Sequence, residues 1–384
     1  MGAGPIRFDY YFFDENCAYH LLSLLDVARP SLALTDRFVW HAIPSDTVRA
    51  VVETPGLLRR VVYRPSNATA IEHRAARLPP AALPQVEALA RGSQAPDTAD
   101  LSALSPRQRA ETLELADQYL TYLQAEMALP QGEFQARSRR FLLARSREPA
   151  FAIDPPQPPA VRPDQGHLSG RLHLAAGVEQ GRAVGELRLR PAYHDLLDAE
   201  AGFNRGAALQ FFDFAIRQRA GHGVRLQYFT PVDIQSLTPR SELLGGRSWR
   251  VQFGWQRLRP AGGGESLLAQ ASGGPGVAWD WRGRVLSYLF LDNQLLLGRR
   301  LEDGYALGVG GSIGTLIDVS SEWRMQLQAG SMRYWAGDRQ TRNRLELNQR
   351  WQTGRNQAVR MELKWQRDAG GEYGGALFGW SQHF

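Results

Sequence analysis

The sequence lacks the features that most often cross-link a chain or carry it through a membrane as a helix. Its 384 residues include one cysteine, Cys17, which excludes an intramolecular disulfide and a metal site built from several cysteines. No apolar run reaches the roughly 18 to 20 residues that a membrane helix requires, because even 286–297 is interrupted by Asp292 and Asn293. Any membrane-spanning segments must therefore be strands, in which alternate residues can be polar.

The sequence also lacks basic clusters, although it is positively charged. Lys and Arg together number 45 against 39 Asp and Glu, and almost all of the positive charge is arginine. The arginines recur at strand-like intervals through the second half, which suits a polar lumen or contacts with anionic lipid head groups. A surface that follows nucleic-acid phosphates would need a basic patch. We therefore expect no nucleic-acid partner.

Beyond residue 165 the chain alternates between apolar and polar residues. In 357–366 the odd positions are mainly apolar and the even ones mainly charged, and the pattern recurs around Leu187, Trp249, Trp323 and Leu345. A period of two is typical of a strand with two different faces. Glycine-rich turn signals separate about twelve such segments, as a barrel with strands of about ten residues requires. A soluble β-sandwich would show the same alternation.

The end of the chain favours the membrane barrel over the sandwich. Aromatic residues at 378, 380 and 384 share one face of a final strand, and the last residue is Phe384. This ending resembles the terminal strand by which outer-membrane proteins are recognised for assembly. We therefore predict an antiparallel transmembrane β-barrel over 166–384, with outer-membrane lipid and the barrel-assembly machinery as partners.

The first 150 residues predict a different kind of structure, so the fold class is α+β. The aromatic run 8–13 predicts a buried strand, and Asp14 to Asn16 provide a helix start directly before Cys17. Further helices are predicted from near Thr47 and over the ranges 68–77, 105–128 and 132–147. The proline-rich segment 151–165 is a linker, because clustered prolines can neither continue a helix nor pair in a central sheet.

Cys17 is the clearest candidate for a chemically reactive side chain. A cysteine in the first turn of a helix lies at the positive end of the helix dipole, beside unpaired backbone N–H groups that can stabilise a thiolate or an oxyanion. A single cysteine among apolar residues is also commonly an inert core residue. Both readings are open on local sequence alone.

A family resemblance favours the first reading. The segment Tyr-Phe-Phe-Asp-Glu-Asn-Cys-Ala-Tyr-His-Leu-Leu over 11–22 resembles the Asn-Cys motif of the Lnb-type periplasmic domain family, a bacterial group with a circularly permuted papain-like thiol fold. The likeness continues in 43–47, 63–66, 191–198 and 202–203. It implies acyl transfer through a cysteine thioester, with a phospholipid or lipoprotein substrate. Cys17 would be the nucleophile, its backbone N–H part of the oxyanion site, and Asn16 an orienting neighbour.

One departure from the family pattern limits this expectation. The histidine that activates the thiol in permuted papain-like folds precedes the cysteine, and the 16 residues before Cys17 contain no histidine. His20, three residues along the same helix, is the available candidate base, although a half-buried helix residue is its simpler role. We therefore interpret 1–150 as the C-terminal fragment of a thiol acyltransferase or hydrolase domain, whose enzymatic activity is an open question.

Two other functions fit the same sequence. One is a porin-like or structural barrel without catalysis, in which the first 150 residues only plug or cap the lumen. The other is a periplasmic cysteine amidase or peptidase. Neither a cofactor nor a metal is expected, because the grouping of His194, Asp195 and Asp198 is more simply a loop ordered by Asp side-chain turns. Arg171, His173, Arg188 and Arg190 are expected to line a solvated lumen.

The expected location is the outer membrane of a Gram-negative bacterium, with the N-terminal part in the periplasm. The first seven residues lack the basic start and apolar core of a secretory signal. Because an outer-membrane barrel must be exported, we expect that the sequence is incomplete at its start.

Overall fold

The computed structural model describes residues 9–39, 41–127, 129–152 and 154–384, which form two compact units. The first unit combines the described residues up to Arg60 with Ala160–Arg240 and Gly246–Phe384. The second comprises Val61–Pro159 with Ser241–Gly245. The segment that contains Cys17 therefore belongs to the same unit as the strands.

In the described part of the chain the α-helices are α1 Cys17–Ala28, α2 Pro44–Glu53, α3 Asn67–Ala75, α4 Leu83–Arg91, α5 Pro106–Glu126 and α6 Gln131–Arg145. Short 3-10 helices occupy Pro30–Leu32, Thr35–Arg37, Pro80–Ala82, Pro163–Gln165 and Glu302–Gly304. Among the described residues, no helix combines the length and the apolar character needed to cross a membrane.

Local sequence signals explain where most helices begin. The Asn16 side chain accepts hydrogen bonds from the backbone N–H groups of Ala18 and Tyr19, as an N-cap does, and confirms the predicted start of α1. At α5, the Ser105 side chain accepts from the Gln108 N–H while the Gln108 side chain accepts from the Ser105 N–H. The predicted start of α1 at Cys17 is therefore confirmed, and α5 begins one residue after the predicted start at 105.

One prediction for the first half was wrong, and one helix was not predicted. Residues 9–13 form no strand, and Tyr10, Tyr11 and Phe12 are exposed, so the aromatic run does not build a buried sheet. Phe8, also in that run, lies outside the described residues. The helix α4 was missed because its flanking prolines read as breakers, although Pro84 lies in the first turn, where a missing N–H costs nothing.

The second unit is a small helical body with its own apolar core. Helices α3 to α6 pack together around buried Leu115, Leu120 and Phe141. Tyr119 is also buried, and its hydroxyl donates to the carbonyl oxygen of Leu243 at 2.6 Å, which satisfies its polar end.

The strands are β1 Arg171–Glu179, β2 Arg182–Arg190, β3 Ala192–His194, β4 Ala207–Arg219, β5 Arg225–Ser236, β6 Ser248–Leu258, β7 Ser266–Trp281, β8 Val285–Leu297, β9 Tyr305–Asp318, β10 Trp323–Gly337, β11 Gln340–Gly354, β12 Gln357–Asp368 and β13 Gly371–His383. Neighbours are antiparallel, β1 pairs with β13, and both β2 and β3 pair with β4. Because β3 continues β2 beyond Pro191, the 13 strands form a closed ring of 12. The predicted barrel is confirmed.

The two faces of each strand follow the predicted alternation. In β12 the odd residues face outward, with Leu363 at 37% and Trp365 at 39% exposure, whereas Arg360 faces inward and is 5% exposed. β13 alternates in the same way with the even residues outward: Phe378 and Trp380 face outward and Ser381 is buried. The barrel therefore presents an apolar outside and a polar lumen, as a bilayer requires.

One end of the barrel, here called the terminal end, is where β1 begins and β13 finishes. The loop 195–206, here called the terminal loop, connects β3 to β4 at this end. Leu196 of this loop is buried in a cluster with lumen-facing Tyr288, Phe290 and Leu316. The terminal loop therefore enters the lumen instead of passing outside the barrel.

Candidate functional site

The start of α1 places the cysteine in the predicted position. Cys17 is the first residue of α1 and is exposed. The Asn16 side chain is 4% exposed, and its amide donates to the carbonyl oxygens of Ala42 at 2.6 Å and Phe12 at 3.3 Å. Asn16 thus caps the helix with its oxygen and ties it to two other segments with its nitrogen. Its position beside Cys17 has a structural explanation.

His20 lies one turn beyond Cys17 on α1. Its Nε2 is 3.1 Å from the carbonyl oxygen of Asp9, so this nitrogen donates a hydrogen. In a neutral imidazole that donates from Nε2, only Nδ1 can accept a proton. The roles of Cys17, Asn16 and His20 as nucleophile, orienting residue and base remain predictions.

The terminal end of the lumen holds a second candidate site, which we call the terminal cluster: Asp195, Asp198, Arg171, Arg190 and Arg360. Arg190 donates to Asp198 at 2.7 Å and to Asp195 at 3.2 Å, and Arg360 donates to Asp195 at 3.0 Å and also to Asp198. Arg171 bonds both carboxylates, with Asp198 at 3.2 Å. Each aspartate thus accepts from three arginines on three different strands.

The two aspartates also order the terminal loop. Asp195 Oδ1 accepts from the backbone N–H groups of Leu197 at 2.9 Å and Asp198 at 2.7 Å, and Asp198 Oδ2 accepts from the Asp195 N–H at 2.9 Å. This confirms the predicted loop ordered by Asp side-chain turns. Burial would by itself raise the pKa of Asp198, but the Arg190, Arg171 and Arg360 guanidiniums hold that pKa well below its usual range.

Three histidines, His167, His194 and His383, meet beside this loop, and the ring centroids of His167 and His383 lie 4.2 Å apart. His167 stacks on Phe203 with ring centroids 4.3 Å apart, and His194 stacks on the same ring at 4.2 Å. His167 Nδ1 donates to the Leu168 carbonyl at 2.7 Å, and its Nε2 lies 3.0 Å from His194 Nδ1. Burial lowers the pKa of His167 to about 2. The ring therefore stays neutral and packs as an aromatic group.

One group of these residues has the donor set of a metal site. Nitrogens of His167 and His383 and an oxygen of Asp198 lie within 4.8 Å of one another. The Nε2 of buried His383 lies 3.3 Å from Asp198 Oδ1 without hydrogen-bond geometry, and its Nδ1 has no hydrogen-bond partner. Two imidazoles and a carboxylate suit zinc or a similar ion. However, the Asp198 oxygens already accept from Arg190 and Arg360. A divalent cation here would lie beside three guanidiniums, which disfavours its binding.

The prediction of a solvated lumen was wrong at this end of the barrel. Arg171 is 4% and Arg190 0% exposed, and both are bonded within the terminal cluster. Arg188 donates to Glu186 at 2.5 Å and to Glu362 at 2.5 and 2.6 Å, and His173 Nδ1 lies 2.8 Å from the Ser381 hydroxyl. The sequence pattern correctly placed these side chains inside the barrel, but they bond to other side chains there, and Arg171, His173 and Arg190 are buried.

Further along the lumen the side chains leave a cavity of about 250 Å³. Its lining is polar and includes Gln252, Gln270, Gln294, Arg250, Asp292 and Glu346. Arg250 donates to Asp292 at 2.9 Å. The polar lumen thus continues beyond the terminal cluster.

Family comparisons divide the chain into three segments. A model described as "Domain of unknown function (DUF7840)" matches 160–382, and one described as "Domain of unknown function (DUF7842)" matches 61–157. A third, described as "Lnb N-terminal periplasmic domain", matches 4–54. The last match contains Cys17 and confirms the resemblance of this segment to the Lnb-type family. None of the curated proteins matches the chain.

Several solved outer-membrane structures are similar to the barrel at low identity. The COG4313 outer membrane channel from Pseudomonas putida F1 is 11% identical, with a TM-score of 0.37, and the match covers 61% of this chain and 100% of that one. The NanC porin is 10% identical with a TM-score of 0.36, covering 56% of this chain and all of the porin. OmpT of Vibrio cholerae is 8% identical with a TM-score of 0.29, covering 56% of this chain and 97% of OmpT.

The predicted location follows from the barrel and the N-terminal match together. A closed barrel with an apolar outside and a polar inside spans an outer membrane. The N-terminal segment matches a periplasmic domain. The protein is therefore an outer-membrane barrel protein with its N-terminal part in the periplasm. Arg49 of α2 donates to the carbonyl oxygens of Asp164 and His167, just before β1, so the N-terminal segment lies at the terminal end, and this end faces the periplasm.

Proposed function

We propose, from the premise that this chain belongs to the DUF7840 family, that the protein is a closed outer-membrane barrel that anchors its periplasmic N-terminal segment and does not act as an open pore. Of the two non-catalytic functions, a porin and a structural barrel, this is the structural barrel. It rests on one observation, the terminal loop held inside the lumen by the terminal cluster.

The energetics of the terminal cluster support a permanent closure. Asp198 and Arg190 are both 0% exposed and lie 2.7 Å apart. Withdrawing the loop would separate Asp195 and Asp198 together from the three arginines that bond them, and breaking such a buried pair costs about 3 to 5 kcal/mol. The loop also buries Leu196 and Leu197. A solute passing through the barrel would have to displace all of these contacts.

Planar-bilayer recording of the purified full-length protein tests the proposal. We expect no reproducible conductance steps from the wild type. A variant in which 196–203 is replaced by a short Gly/Ser linker should conduct, because it removes the buried leucines and Asp198 together. Uniform steps from the wild type that disappear when the protein is omitted would instead establish the porin-like alternative.

A second function, acyl transfer by Cys17, is favoured by a separate observation. Leu21 follows Cys17 by four residues and Leu24 follows Leu21 by three, so all three lie on one face of α1. The two leucines are 63% and 59% exposed. An exposed thiol at the end of an apolar stripe suits a nucleophile that accepts an acyl chain from a phospholipid. The cysteine amidase or peptidase reaction would use the same thiol on a different substrate.

Labelling with an activity-based acyl probe tests the thiol function. We expect the wild-type protein to form a thioester with the probe and Cys17→Ser to lose it, while Ser23→Ala, a control on the same helix, keeps it. A general thiol reagent should still modify the wild-type protein, since Cys17 is exposed. Modification by that reagent without acyl labelling would contradict acyl transfer by Cys17 and would be consistent with the anchor function.

A further inference from the structure

Three arginines stand side by side on neighbouring strands at the terminal end of the lumen. Arg324 of β10 lies opposite Arg350 of β11, and Arg350 lies opposite Arg360 of β12. Their exposures are 5%, 2% and 5%. Like charges directly opposite each other destabilise a sheet, and burial increases the cost, so each of the three requires an anion nearby.

The two outer arginines have acidic partners and the middle one does not. Arg324 bonds Asp318 at 2.6 Å and also Glu200, while Arg360 bonds both aspartates of the terminal cluster. Within the described part of the chain, no carboxylate oxygen lies within 4.0 Å of a guanidinium nitrogen of Arg350. Its Nη1 donates to the amide oxygen of Gln352 at 2.6 Å. Its Nε is buried without a hydrogen-bond partner.

Arg350 borders a cavity of about 390 Å³ at the terminal end. The charged residues of its lining are Arg205, Arg284, Arg324, Arg350, Glu200 and Asp318. These are four cations and two acids, and Asp280, which bonds Arg205 at 3.0 Å, adds a third acid. Among these residues the cations outnumber the acids by one, and Arg350 is the cation of the three-arginine row whose hydrogen bond goes to an amide oxygen and not to a carboxylate. The volume exceeds that of ten waters at about 30 Å³ each.

We infer that Arg350 is the centre of a binding site for a phosphate-type oxyanion. A tetrahedral oxyanion in this cavity supplies the negative charge that the three-arginine row lacks, and it accepts hydrogen bonds from Arg350. Guanidinium is the side-chain group best matched to such an anion, because its planar fork binds two oxygens at once. The anion comes either from free phosphate or from a phospholipid head group, since the cavity lies at the periplasmic end of the barrel.

Thermal unfolding of the full-length protein in maltoside micelles tests this inference. Sodium phosphate is expected to raise the unfolding midpoint by several degrees relative to sodium chloride at equal ionic strength, because a ligand that binds the folded state stabilises it. Arg350→Gln should weaken phosphate binding about ten-fold or more, as the loss of a charge-assisted hydrogen bond predicts. Arg344→Gln is the matched control, since Arg344 is on the same strand and lines the other cavity.

The unliganded variants provide a second readout. Without phosphate, Arg350→Gln should unfold at or above the wild-type midpoint, because it removes an uncompensated buried charge. If this variant fails to reach the heat-modifiable folded form, Arg350→Lys replaces it and should bind phosphate less tightly than the wild type. Equal phosphate responses in wild type and variant, or an equal response to chloride, would overturn the inference.

A lipid arm distinguishes the two sources of the anion. A soluble short-chain phosphatidylglycerol is compared with a short-chain diacylglycerol that has no phosphate. Stabilisation by phosphatidylglycerol and by phosphate identifies a head-group site, whereas stabilisation by phosphate alone identifies a site for the free anion. Both results support an oxyanion site at Arg350 if they depend on that residue, and stabilisation by neither anion contradicts it.

Discussion

Replacing Asp198 with asparagine should lower the free energy of unfolding of the barrel by about 3 to 5 kcal/mol. Asp198 is 0% exposed and bonds three arginines, and its Oδ2 also accepts from the Asp195 N–H. The amide keeps the shape of the side chain but removes the negative charge. Three buried guanidiniums would then share Asp195 alone, and at least one would lose its compensation.

Denaturant unfolding in lipid vesicles, followed by tryptophan fluorescence, would measure this loss. Asp303→Asn is the matched control, because Asp303 is an exposed residue of the β8 to β9 connection at the opposite end and its left-handed φ of 57° is one that asparagine tolerates. The control should change stability by less than about 0.5 kcal/mol. Equal stability of Asp198→Asn and wild type would show that the terminal cluster does not hold the loop in place.

Replacing Gly177 with valine should prevent closure of the barrel. Gly177 is in β1 opposite Leu377 of β13, at the seam that joins the first strand to the last. A Cβ atom at this position would lie 1.9 Å from the carbonyl oxygen of Ala376, and that oxygen belongs to the partner backbone and cannot move away alone. We expect a destabilisation above about 4 kcal/mol, the range that indicates a specific steric failure.

Gly185→Val is the control for this variant. Gly185 is in β2 and pairs with Ala176, the neighbour of Gly177, and a Cβ atom added to Gly185 would meet no other atom within 4 Å. The same substitution one strand away should therefore leave the protein folded. Heat-modifiable electrophoretic mobility reports the folded barrel directly. A normal folded yield of Gly177→Val would mean that the seam can separate without loss of closure.

The sequence-based predictions were correct where a feature depends only on residues that are close together in the sequence. The start of α1 was predicted because Asn16 caps it with its own side chain, and the strand alternation was predicted because period two is a property of each strand alone. The buried strand over 8–13 was wrong for the opposite reason. Aromatic residues favour strands only where a partner strand is present, and none pairs with the described residues 9–13.

The candidate sites differ in the same way. Cys17 was found because a helix start is visible in a few consecutive residues. The aspartates of the terminal loop were also noted, since Asp195 and Asp198 are three residues apart and bond their own backbone. The row of Arg324, Arg350 and Arg360 was not found. Nothing in three separate strands reveals that their registers place these residues opposite one another.

The sequence by itself determined that the second half of this protein is a barrel with an apolar outside and a polar lumen, because side chains alternate regardless of which strands become neighbours. Only the tertiary structure decided that the terminal loop lies inside this lumen. The position of the loop depends on bringing Arg171, Arg190 and Arg360 around its two aspartates. Such long-range pairing follows from strand register and ring closure, and charged residues attract each other strongly only after the fold has buried them together.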